Sequence, residues 1–150
     1  MTTADALPLV RRGILAVLVF GCVGLIGELI LLEHYTEIFQ LPPVVLTALT
    51  LVAILWHWQS GNRTSLRFLQ VIALLLVLAG VVGVFLHTGS NFDYERELEP
   101  DLLGFPFWIN VFRGDRPILA PGTLIQFGLL GLLYAYKHPA LKAAVKPPAS

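Results

Sequence analysis

The stretch "GELILLEHY", Gly27 to Tyr35, sets Glu28 inside an apolar run and closes that run on Glu33 and His34. A carboxyl group at membrane depth is costly, faces protein in preference to lipid, and marks a functional site by default. Its chemistry there would be proton or cation coupling. Each later apolar segment carries a polar side chain in its outer half: Thr47, then His87, then Gln126. Glu28, Thr47, His87 and Gln126 are therefore expected to form an intramembrane polar cluster that opens outward. A structural use of Glu28, hydrogen-bonded between helices and holding them in register, is the favoured reading. No second carboxylate or base lies at comparable depth to form a relay with it.

A second constellation lies at the same end of these segments. Glu33, His34 and Glu37 follow the first, and His87, Asn91 and Glu95 follow the third at four-residue steps, which is one helix face if the helix continues. Carboxylate and imidazole on neighbouring helices are divalent-metal ligands. However, the order is His34-x-x-Glu37, where di-iron bundles use Glu-x-x-His, and Gly89 with Ser90 stand in the second face. A solvated rim is the expected use. The four histidines permit a third arrangement, with His34 and His87 at one end and His57 and His138 at the other, as paired b-haem ligands. His34 and His138 each follow a charged residue, so no cofactor is expected, and metal or haem stands only as the alternative.

Four apolar segments must position these groups: residues 13–33, 41–59, 66–87 and 118–136. Each approaches the ~20 residues that a helix needs to cross a bilayer. They are continuous and not alternating, so helices are predicted and a barrel is excluded. The fold class expected is an all-α integral membrane protein, a four-helix antiparallel bundle in a single membrane domain, residues 1–150. Short turns at residues 34–40 and 60–65 make the first three helices neighbours. Glycines at positions 21, 24, 27, 80, 83, 128 and 131 suit close helix packing. The long connection 88–117 begins with the acidic "NFDYERELEP", which can extend the third helix. It continues with "DLLGFPFWINVF", too apolar for water and too short to span, so a short interfacial helix is predicted there.

Of the ten Lys and Arg, Arg11, Arg12, Arg63, Arg67, Lys137, Lys142 and Lys146 fall at one end, with only Asp5 as an acid. The positive-inside rule then puts both termini in the cytoplasm of a bacterial-type inner membrane. Trp56 and Trp58 suit that interface. The tail "KPPAS" is expected to be disordered.

Composition agrees: 56% hydrophobic and 13% charged residues, against about a quarter charged in soluble domains. Zero formal net charge gives no case for nucleic acid. The single cysteine, Cys22, excludes CxxC redox and zinc sites and the disulfide-generating membrane enzymes. Arg11-Arg12 before an apolar core and Cys22 hint at a lipoprotein signal, but the core runs on through Leu32, so a retained first span is expected. Small multidrug transporters also have four spans with a glutamate in the first. They lack a long outer connection, and their glutamate motif differs from "GELILLEHY", so the likeness shows only that so small a bundle can transport. The functional expectation is a non-catalytic accessory subunit or a small carrier of ions or solutes. It works in lipid, as a homo-oligomer or within a larger membrane complex. The alternative is a metal- or haem-binding redox protein.

Overall fold

The computed structural model describes residues 3–142; Lys146 and the C-terminal tail lie outside the described residues. Among these the regular structure is helical, without strands. Helix α1 spans Thr3–Leu31, α2 Leu41–Ser60, α3 Arg63–Leu98, α4 Phe105–Arg113 and α5 Gly122–Ala135, with short 3-10 turns at Ile38–Gln40 and Pro139–Leu141. Three helices are long and apolar enough to cross a membrane: Ala6–Leu31, Ile38–Ser60 and Arg63–Leu98. These make the chain a multi-pass membrane protein in composition and length. Helix α5, at 14 residues, is apolar but shorter.

The ends of the helices differ from the sequence reading in ways that matter. The first was expected to run to Glu33. It stops at Leu31, because Glu33 adopts φ 51°, the left-handed conformation. Two bonds close that end: His34 N–H donates to Leu29 O at 2.8 Å and Glu33 N–H to Ile30 O at 3.0 Å. This is the Schellman arrangement, usually built on glycine. The α2–α3 turn is closed by Gly61, φ 58°, after which Asn62 caps α3 by accepting from Ser65 N–H at 2.9 Å. Helix α3 does not end at His87. It continues through Gly89 and Ser90 for 36 residues and stops at Leu98. Glu99 precedes Pro100, and the proline ring disfavours helical geometry in the residue before it.

Helix α3 packs against α2 on one side and α5 on the other, and α1 contacts both α2 and α5. The core between them is apolar: Leu15, Leu18, Cys22, Ala53, Ile54, Leu66, Leu69, Leu76, Leu124 and Phe127. Part of the glycine pattern acts as expected. A Cβ at Gly80 would lie 2.7 Å from Pro121 O, one at Gly128 would collide with Ala73 O, and one at Gly21 would lie 2.5 Å from the Phe127 ring. Among the described residues no atom approaches a Cβ built at Gly24 or Gly27, so these two do not serve packing between the described helices. The antiparallel match of α1 with the last segment is fixed at its ends. Arg11 Nη2 donates to Tyr136 O at 3.3 Å and Lys137 O at 3.1 Å, a cation on carbonyls that end a helix.

The connection after α3 is ordered by one side chain. Asn91 Nδ2 donates to Val111 O at 3.0 Å and Arg116 O at 2.8 Å, while its Oδ1 accepts from Arg116 N–H at 3.1 Å. Helix α4 rests on the extension of α3 through Phe107 and Val111. Phe92 meets the Phe107 ring edge to face at 5.2 Å, and the Arg96 guanidinium covers Phe107 at 4.8 Å. Phe105, Trp108 and Phe112 remain exposed on α4.

Candidate functional site

The expected intramembrane cluster is not gathered by this fold. Glu28 is exposed, in the last turn of α1, three residues before its end. It sits about 4.5 Å from that end at 1.5 Å per residue, not at depth, and it faces away from the core. Thr47 is fully buried, but its hydroxyl donates to Pro43 O of its own helix. His87 Nδ1 donates to Pro117 O at 3.0 Å. Gln126 is exposed on α5. No hydrogen bond joins any two of the four among the described residues.

The outer set is also put to other uses. The continuing helix does place His87, Asn91 and Glu95 on one face. Yet Asn91 is consumed by the α4 connection, His87 gives its Nδ1 to a carbonyl and keeps only Nε2 as a ligand atom, and Glu33 and Glu37 are exposed. Glu95 is buried with Oε2 unpartnered. Burial holds His34 below the usual histidine range, as do His87 and Arg116 nearby, with Glu37 opposing. Among the described residues, no three His, Cys, Asp or Glu side chains converge as a metal site requires.

The site the sequence reading missed is at the other, basic end. A cavity of about 380 Å³ opens there between α1, α2 and the end of α5. Its walls include Arg11, Arg12, His57, Trp58, Tyr134 and His138. His57 is buried, and its Nδ1 lies 2.9 Å from Ser65 Oγ, which in turn accepts from Ser60 Oγ at 2.8 Å. The rings of His57 and His138 meet edge to face with centroids 5.3 Å apart, and each also touches Tyr134. A haem held by this pair would need the two imidazoles on opposite faces of a porphyrin, and rings in direct contact leave no gap for one. His138 Nδ1 accepts from Ala140 N–H at 3.2 Å, so the neutral ring carries its proton on Nε2. Burial lowers the His138 pKa from the ordinary value, and Arg11 and then His57 lower it further.

No carboxylate lines this cavity among the described residues. Two guanidiniums, two imidazoles and a phenol around one opening make a donor-rich, positive site. Such a set binds an anionic group: guanidinium matches phosphate or carboxylate oxygens, and imidazole and phenol add single donors. In the sequence Arg11 and Arg12 stand out as a topology or signal-peptide feature, and His57 and His138 as a haem pair. Residues 11, 57 and 138 come together through the antiparallel packing of three helices, which no local pattern announces.

Compared with protein-family models, with curated proteins and with solved structures, the chain shows no match.

Proposed function

We propose that this chain is a four-span protein of a bacterial-type inner membrane, with both termini in the cytoplasm, and that it binds an anion at its cytoplasmic face. The observation that carries this reading is the cavity walled by Arg11, Arg12, His57, Tyr134 and His138 without an opposing acid among the described residues. The ligand class is a phosphate- or carboxylate-bearing molecule at the membrane surface. The role is that of a non-catalytic accessory subunit. A conduit is disfavoured because the space between the helices is filled by Leu18, Cys22, Leu66, Leu69 and Leu76, all essentially without solvent access. Helix α4 is on this reading an interfacial element, which the exposure of Phe105, Trp108 and Phe112 supports.

The test is a titration of the purified full chain, held in nanodiscs of zwitterionic lipid, with inorganic phosphate and pyrophosphate. Trp58 lies in the cavity wall and reports occupancy by fluorescence. Saturable binding is expected, with Arg12→Gln weakening it about tenfold, the loss of one charged hydrogen-bonding partner. Absence of saturable binding, or equal affinity in Arg12→Gln, would overturn the reading. So would a haem absorption band in the same preparation.

A further inference from the structure

We infer that the exposed face of α5 is a contact between two copies of this chain, centred on a reciprocal pair of Gln126 amides; this rests on the four-span reading, which the reporter fusions test separately, and stands apart from the anion site. The height of Gln126 follows from the α1–α5 match. Gly21 lies against the Phe127 ring, and a Cβ on Gly131 would touch Leu18. Gln126 is therefore level with Cys22. At 1.5 Å per residue that position is about 15 Å from Arg12 and about 14 Å from the end of α1 at Leu31, midway along a span. A hydrocarbon core is about 30 Å thick, so with α5 as the fourth span proposed above this primary amide is at its centre. The side chain is exposed, and it makes no side-chain hydrogen bond among the described residues.

Hydrocarbon offers an amide no partner, so this position calls for one from another chain. The chemistry of the group says which. An amide carries both donors and an acceptor, so two identical amides related by a two-fold axis satisfy each other, each N–H donating to the other's C=O. The surroundings fit the same occupant. Gln126, Leu129, Leu130 and Leu133 line a shallow groove of about 360 Å³ on this face, at spacings that form one helix stripe. The opposite face of α5, with Leu124, Phe127, Gly128 and Gly131, is already committed to α1 and α3. A second α5 can enter the groove with leucines flanking the central amide pair.

The full chain is reconstituted in liposomes, and association is followed by energy transfer between labelled copies as lipid is added to dilute them. Wild type is expected to dimerise reversibly. Gln126→Leu is expected to weaken the dimer about tenfold and Gln126→Asn, which keeps the amide, by less. Because the side chain is on the outside, neither variant should lower the unfolding temperature of the monomer in dilute detergent. Cysteine cross-linking gives an independent reading that needs no change at Gln126. The native Cys22 is fully buried and should not cross-link. Leu129→Cys is expected to form an intermolecular disulfide, while Val52→Cys, exposed on α2, is not. A wild-type chain that stays monomeric at every protein-to-lipid ratio would overturn the inference, as would a dimer insensitive to Gln126→Leu or one trapped better through position 52.

Discussion

At the scale of single residues, the basic-end site depends on which groups can titrate. His138 is the informative one, because it lies beyond the last helix and serves two roles. Its Nδ1 caps the Pro139–Leu141 turn by accepting from Ala140 N–H, and its ring stands in the cavity wall. Protonation would convert that acceptor into a donor facing another donor, and would add a charge beside Arg11 and His57. Both oppose protonation, as does burial, and the folded pKa is lowered. The sign follows. Between the folded and unfolded values the unfolded chain binds more protons, so this residue's contribution is complete above the unfolded value of about 6.5 and is lost as pH falls through the folded one. Thermal unfolding of the full chain in detergent is therefore expected to show stability declining below about pH 6.5. His138→Asn should make that decline shallower, since asparagine caps without titrating, and leave the part that His34 contributes. An anion in the cavity should offset part of it in wild type, by favouring the charged ring. A His138→Asn profile that follows wild type would show that another group governs the acid limb.

At the scale of elements, the head formed by the α3 extension and α4 hangs on Asn91. This side chain is nearly inaccessible and closes three hydrogen bonds to backbone groups of Val111 and Arg116. A side chain at Gly114 would collide with it, since a Cβ there would lie 2.6 Å from Asn91 Cγ. Asn91→Ala leaves backbone groups unsatisfied at a cost of about 1–3 kcal/mol. It is expected to release α4, read as faster proteolysis between residues 99 and 116 with the helical signal of the rest retained. Unchanged cleavage would mean that the Phe92–Phe107–Arg96 stack alone holds the head. Much of this element was legible beforehand. The acidic run 91–99 is rich in residues that tolerate helix, Pro100 marks its end, and the apolar 102–112 stretch was too apolar for open water. The clamp was not legible, because Asn91 read equally well as a metal ligand on a helix face. Only the folded chain shows its partners twenty and twenty-five residues away. Glu28 was misplaced for a related reason. Its depth depended on where α1 ends, and a glutamate in the left-handed conformation at position 33 leaves no mark in hydropathy.

At the scale of the whole molecule, the open matter is how often the chain crosses. Hydropathy and length support three spans directly, and α5 alone, at about 21 Å, falls short of a ~30 Å core. The contacts at its two ends argue for a fourth crossing. At one end Arg11 holds the carbonyls of Tyr136 and Lys137; at the other His87 holds that of Pro117. Residues 11–31 and 67–87 each cover about 30 Å of helix. The segment 117–137 is pinned at the levels where those two begin and end, so it covers the same height, with the turn at 117–121 adding to α5. The basic residues agree, since Lys137 and Lys142 then join Arg11, Arg12, Arg63 and Arg67 on one side. Reporter fusions after Gly61, Glu97 and Lys142 separate the alternatives. Four crossings place positions 61 and 142 together in the cytoplasm and 97 outside. Three crossings leave 142 outside with 97. The second outcome would also dismantle the anion site, because His138 and Tyr134 would then lie across the membrane from Arg12 and His57.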